Sequence, residues 1–205
     1  MKRIYSLIGC AFLLAGAFVV SSCSENKMLG SWKGVVPVNL ANSVAGASES
    51  SFVPVITFKE GQDRKGGDVS VSGEVSIEKR LSSLSGGEIL MAATGMSDVK
   101  GKWSYDIDDD DDLLLDLDIK SLEVKFDKDD MSFSGPGYTV LTNEQRDSLI
   151  SAELDICVME TRKALKSEFV RFSLIEDVEV SKDGRTLGFE IKSPKTDLRF
   201  RKIGD

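Results

Sequence analysis

The sequence predicts an all-β barrel or sandwich with one accessory helix. Three observations carry that reading. Val69, Val71, Val75 and Ile77 alternate with polar residues at a strict period of two. One long segment, residues 142–169, opens on the capping box Thr142-Asn143-Glu144-Gln145 and continues with apolar residues at helical spacing. Strand-like runs lie on both sides of that helix, without the strand–helix alternation of a parallel sheet.

In chain order, the first strand is expected over Ser31–Val38. The second is expected over Phe52–Lys59, apolar on both faces as in a well-buried strand. The third, Asp68–Lys79, has the cleanest alternation, and Gly73 interrupts its apolar row where a bend or bulge fits. Residues 81–98 fit neither period. Ser82–Gly87 reads as loop, and Glu88–Met96 as a short helix, a lid over an opening or a packed surface loop. Val99–Ile107 and Leu113–Ile119 form a hairpin around an aspartate-rich tip, and Leu122, Val124 and Phe126 continue the alternation. Met131–Phe133 and Tyr138–Leu141 are short strand-like runs. Within the helix, Ile150, Leu154, Cys157, Val158, Leu165 and Phe169 share one face with Thr161, while Arg146, Asp147, Glu153, Glu160 and Lys163 fall largely outside it. Three more strands follow: Arg171–Val180, Arg185–Lys192 and Leu198–Ile203. Asp183-Gly184 makes the turn between the first two.

Composition bounds the function. A chain of 205 residues supports one domain with a sizeable core. The formal charge is −8, and such a surface repels nucleic acid and anionic membrane faces. There is no histidine, which removes histidine-based triads, the usual catalytic zinc sites and most neutral-pH acid–base chemistry. No phosphate loop and no Gly-x-Ser-x-Gly elbow is present. Acidic residues abound, but no spacing marks the pair a glycosidase needs. The expectation is therefore no enzyme and no cofactor.

The N-terminus carries an address. Lys2 and Arg3 precede the apolar, uncharged stretch Ile4–Val20, and Ser21-Ser22-Cys23 closes it. This resembles a bacterial lipoprotein signal, whose cysteine is lipidated and becomes the first mature residue. The resemblance implies a signal over residues 1–22, a lipidated tether over 23–29 and one domain over 30–205. Acyl chains on Cys23 would hold the protein on a membrane without a spanning helix. The extended tether reaches at most about 20 Å. With Cys10 and Cys23 so assigned, only Cys157 remains, so no intramolecular disulfide forms. Its place on the helix stripe reads as a buried thiol; the alternatives are a reactive thiol or a dimer bridge.

Gly30-Ser31-Trp32 opens the first strand, Ile56-Thr57-Phe58-Lys59-Glu60-Gly61 ends the second, Gly101-Lys102-Trp103-Ser104-Tyr105 begins a middle strand, and Leu113-Leu114-Leu115-Asp116-Leu117 follows the acidic turn. In this order the segments resemble the lipocalin-like domains of Bacteroidetes lipoproteins, over roughly residues 28–126. The resemblance implies a lipocalin-like antiparallel β-barrel with one inserted or flanking amphipathic helix. It also implies that Trp32 closes one end with Arg199 or Arg201 packed across it. In lipocalins the main helix follows the last barrel strand, whereas here strands follow it. Either the helix is an insertion that plugs or flanks the barrel, or the sheet is arranged differently.

The candidate ligand contacts are Trp103, Tyr105, Met91 and Met96. If Trp103 points inward, Tyr105 and Ile107 do too. Asp106, Asp108 and Asp110 are candidate calcium ligands, but the glycine and closing glutamate of a calcium loop are missing, and a solvated hairpin tip explains them as well. The expected function is a lipid-anchored envelope protein, on the outer membrane by resemblance, binding a small apolar or lipid-like ligand. The alternative is an envelope interaction or structural lipoprotein, its barrel filled by its own side chains and docked to a protein partner.

Overall fold

The computed structural model describes residues 27–62, 65–82, 86–105, 112–191 and 194–204. The signal region, Cys23, Ile107 and the aspartates 106, 108 and 110 lie outside the described residues.

Strands β1 (Gly30–Gly34), β2 (Val38–Asn39), β3 (Ala47–Glu60), β4 (Gly66–Ser82), β5 (Glu88–Tyr105), β6 (Leu113–Leu117) and β7 (Glu123–Ser134) come first. A short helix α1 (Pro136–Thr139) and the long helix α2 (Asn143–Arg171) follow, then β8 (Leu174–Val180), β9 (Thr186–Ile191) and β10 (Thr196–Ile203). All pairings are antiparallel. The path β3-β4-β5-β6-β8-β9-β10-β1 returns to β3, because β1 pairs with both β10 and β3, and this closes a barrel of eight strands. The expected barrel with one long helix is present, and the helix is an insertion between β7 and β8.

The barrel has two unlike halves. In the lower half, Val55–Phe58 of β3 pairs with β1, and Gly101–Tyr105 of β5 pairs with β6, so the ring is complete. In the upper half, β3, β4 and β5 run on past the ring. There β5 pairs through Leu90–Asp98 with β7, and β3 pairs with the short β2. A sheet that leaves its ring exposes an apolar face, and α2 covers it. Phe169 of α2 meets Phe52 of β3 edge-on at 6.0 Å, and Arg162 donates to the Leu122 carbonyl beside β7.

Residues 81–98 are a correction to the sequence reading. Glu88–Met96 is neither loop, lid nor helix but the first part of an 18-residue strand. Ile89, Met91, Ala93, Gly95 and Ser97 alternate inward along it, but alanine, glycine and serine in the inward row hide the apolar signal. Tyr138–Leu141 is corrected likewise: Pro136–Thr139 is one turn of helix, with Pro136 at its start. Gly73 makes no bulge, since the β3–β4 register runs straight through Pro54↔Gly73. A Cβ there would lie 2.1 Å from the Val53 carbonyl oxygen and 2.6 Å from the Phe52 ring, so close approach of side chain and backbone requires glycine.

The α2 N-terminus forms as its sequence predicts. Gln145 N–H donates to Thr142 Oγ1 at 3.2 Å, and Thr142 N–H donates to Gln145 Oε1 at 2.9 Å. The Asp183-Gly184 turn also forms, with Gly184 at φ +69° and Ser181 Oγ 2.6 Å from Asp183 Oδ1. That hydrogen bond, with one from the Arg185 backbone N–H, holds the Asp183 carboxyl below its usual range.

Candidate binding site

The lower end is closed by aromatic side chains. Trp32 is fully buried, and its indole N–H donates to the Met28 carbonyl at 2.6 Å. The cation over its ring is Lys202, at 5.3 Å, rather than Arg199 or Arg201. The physical reason is strand parity. Phe200 points inward from β10, so Arg199 and Arg201 point out into solvent, and Lys202 returns to the inner side at the strand end.

Trp103 lies on the inner row of β5, 2% exposed. Its indole N–H donates to the Lys59 carbonyl at 2.9 Å, and its ring meets Phe58 at 5.9 Å and Tyr105 at 5.6 Å. Trp103 and Tyr105 thus come together, but as packed wall and not as the lining of an open cup. A second aromatic chain, Phe52–Phe169–Phe172–Phe189–Phe200, ties α2 to the far wall. Ile56, Val69, Val71, Val99, Leu113 and Leu187 fill the space between.

Met91 and Met96 separate. Met91 is buried on the inner row, opposite Lys79 in register. Met96 is 55% exposed, because an odd-to-even shift along a strand changes the face. Met96 therefore lines no interior site.

The upper half holds what the sequence reading missed. Lys79, 3% exposed, pairs with Glu153 of α2 at 3.2 Å. Ser50 Oγ, Ser97 Oγ and Thr161 Oγ1 are buried without a hydrogen-bond partner. Ser50 sits opposite Ile77, which makes it a diagonal neighbour of Lys79 on the same face. On α2, Glu153, Cys157 and Thr161 follow one another at single-turn spacing, all buried. Burial raises the Cys157 thiol pKa above its ordinary value, the nearby Lys79 opposing that only in part. The signals were present in the sequence. Lys79 continues the inward parity of Val69, Val71, Val75 and Ile77, and Glu153 lies four residues before Cys157 on the helix stripe. Glu153, expected largely outside that stripe, is inside it because a cation waits on the sheet opposite.

Open clefts lie on the outer surface. One of about 570 Å³ runs along the outer side of α2 at Met159, Arg162, Lys163 and Lys166. A second of about 300 Å³ borders Asp177, Glu190, Asp197 and Arg199, and a third of about 490 Å³ borders Asn39, Glu49 and Glu78. Among the described residues, no group of three or more His, Cys, Asp or Glu side chains is placed to hold a metal ion. Among them, too, no helix is long and apolar enough to cross a membrane. No family model, no curated protein and no solved structure matches this chain.

Proposed function

We propose that the chain is a lipid-anchored envelope protein that binds a small apolar or amphiphilic molecule, without catalysis, in the upper half of its barrel beneath α2. The observation that carries this reading is the buried polar content of that half: an ion pair between helix and sheet, and unpartnered hydroxyls on Thr161 of α2 and on Ser50 and Ser97 of the strands. Buried polar groups are nearly always paired, so three orphans in the helix-covered half call for a role beyond packing. Among the described residues, the lower half is filled by its own side chains. An anchor on Cys23 would enter beside Gly30, at the Trp32 end. The helix-covered end would then face away from the membrane, opposite to the placement of a barrel mouth against the lipid.

The second reading, an envelope interaction or structural lipoprotein with a filled barrel, is favoured by the aromatic packing of the lower half. Native mass spectrometry of residues 24–205, purified without detergent, separates the two. The ligand reading expects a reproducible added mass that organic extraction removes. An apo mass that no apolar probe shifts supports the filled barrel instead. Every described strand and helix lies between Gly30 and Ile203, so this soluble form contains the whole described fold.

A further inference from the structure

We propose that Lys79 is the anion-holding residue of the site beneath α2, and that Glu153 occupies the place of a ligand carboxylate while the site is closed. The inference rests on the ligand-binding reading and adds its chemical class: a single-chain amphiphile with a carboxylate head.

The argument starts from where the anion comes from. Lys79 projects from the inner row of β4, and its carboxylate partner arrives from a helix 74 residues away. The pair therefore breaks whenever that part of α2 moves. None of the first ten residues of α2, 143–152, is fully buried, and full burial begins at Glu153. The firm anchors, Ala164, Leu165 and Phe169, all lie in the second half. The first half is thus held by Glu153 and Cys157, by an exposed contact from Lys128 to Ser151 Oγ at 3.3 Å, and by Arg146, which donates to the Thr139 carbonyl at 3.1 Å and lies over the Tyr138 ring.

Beneath it, Ile77, Met91, Ala93 and Gly95 form a packed apolar trough, with the Phe126 ring lying against Gly95. Lys79 and Ser50 stand at one end of that trough, and Ser97 lies six residues along β5 from Met91, about 20 Å at strand rise. A buried ammonium left without an anion is strongly disfavoured. Lifting Glu153 away is tolerated only if another anion replaces it. A carboxylate with an acyl tail supplies both the replacement charge and apolar surface for the trough. A long-chain alcohol supplies the tail alone and leaves Lys79 unpaired.

The test titrates dodecanoate and 1-dodecanol into residues 24–205 by calorimetry, with hydrogen exchange followed over 143–152. Dodecanoate should bind at least about tenfold more tightly than dodecanol, as expected for a charge-assisted contact, and should speed exchange in 143–152. In Lys79→Met/Glu153→Leu, with near-ultraviolet circular dichroism unchanged, the two probes should bind within about threefold of each other. Equal binding of both probes to the unaltered protein overturns the carboxylate site while leaving the ligand reading standing. Binding of neither overturns both. A preference that survives in the double variant places the anion elsewhere and overturns the role of Lys79. A preference without faster exchange overturns the displacement of Glu153. If the double variant does not fold, Glu153→Gln decides. Removing the competing carboxylate should raise dodecanoate affinity about tenfold, and an unchanged affinity overturns the proposal.

Discussion

The two halves of this barrel use the same strands and the same inward alternation, yet they solve burial differently. In the lower half, β1 joins β3 to β10 and the ring closes on itself. Among the described residues no sheet edge is left there, and the enclosed space is filled by Trp32, Phe58, Trp103, Leu113 and Phe200. In the upper half, β3, β4 and β5 outrun the ring, and a helix must supply the missing wall. A helix brings a stripe of its own, and here the stripe carries Glu153, Cys157 and Thr161 among its apolar residues. The closed half is a jigsaw of side chains. The covered half is a helix packed on a sheet across an ion pair.

The largest expected effect breaks the closed half. Trp32→Ala removes a fully buried indole and its hydrogen bond to Met28, and urea unfolding should show a loss of about 3–5 kcal/mol. A loss below about 1 kcal/mol would mean that the Trp32 end is not packed as described.

Next comes the seam. Lys79→Met alone leaves Glu153 buried without its cation and should cost about 3 kcal/mol or more. Lys79→Met/Glu153→Leu should recover that loss and can exceed the original stability by about 1–4 kcal/mol. If the single and double variants lose equally, the pair is not the buried contact between helix and sheet.

A smaller effect tests the N-terminal end of α2. Thr142→Ala removes the side-chain half of the capping box and should cost about 1 kcal/mol. The loss should show as faster hydrogen exchange confined to the first turns of α2, with the lower ring unchanged.

The smallest is a pH effect. The folded Cys157 thiol has a pKa raised above the ordinary value of 9.0, so the unfolded chain ionises first as pH rises. Its contribution to stability is full below about pH 9 and is lost as pH climbs from there through the raised folded value. Cys157→Ala should flatten the fall in stability measured between pH 8 and 10. At neutral pH, a thiol reagent should label Cys157 only as fast as the protein opens.

Much of this division was legible in the chain, and what was not has physical causes. Val69 to Ile77 announced β4, and Lys79 continues their parity as a charged residue on an apolar row. Residues 88–96 were not legible, because Ala92, Ala93 and Gly95 carry too little apolar weight to show a period of two. Small side chains there fit a face that a helix and an aromatic ring press against: a Cβ on Gly95 would come within 2.6 Å of Phe126. The resemblance points to Arg199 or Arg201 over Trp32, whereas Lys202 shares the parity of inward Phe200 and takes that place.

What the sequence determined by itself is local: the period-two strands, the capping box at Thr142 and the turn at Asp183-Gly184. Each depends on residues within a few positions of one another, so its physics is complete in a short window. Only the tertiary structure decided that β1 closes the ring between β3 and β10, that β5 changes partner from β7 to β6, and that Glu153 turns inward. Those outcomes depend on groups far apart in the chain, most plainly on a lysine and a glutamate separated by 74 residues. Burial of one charge makes sense only when the position of the other is known.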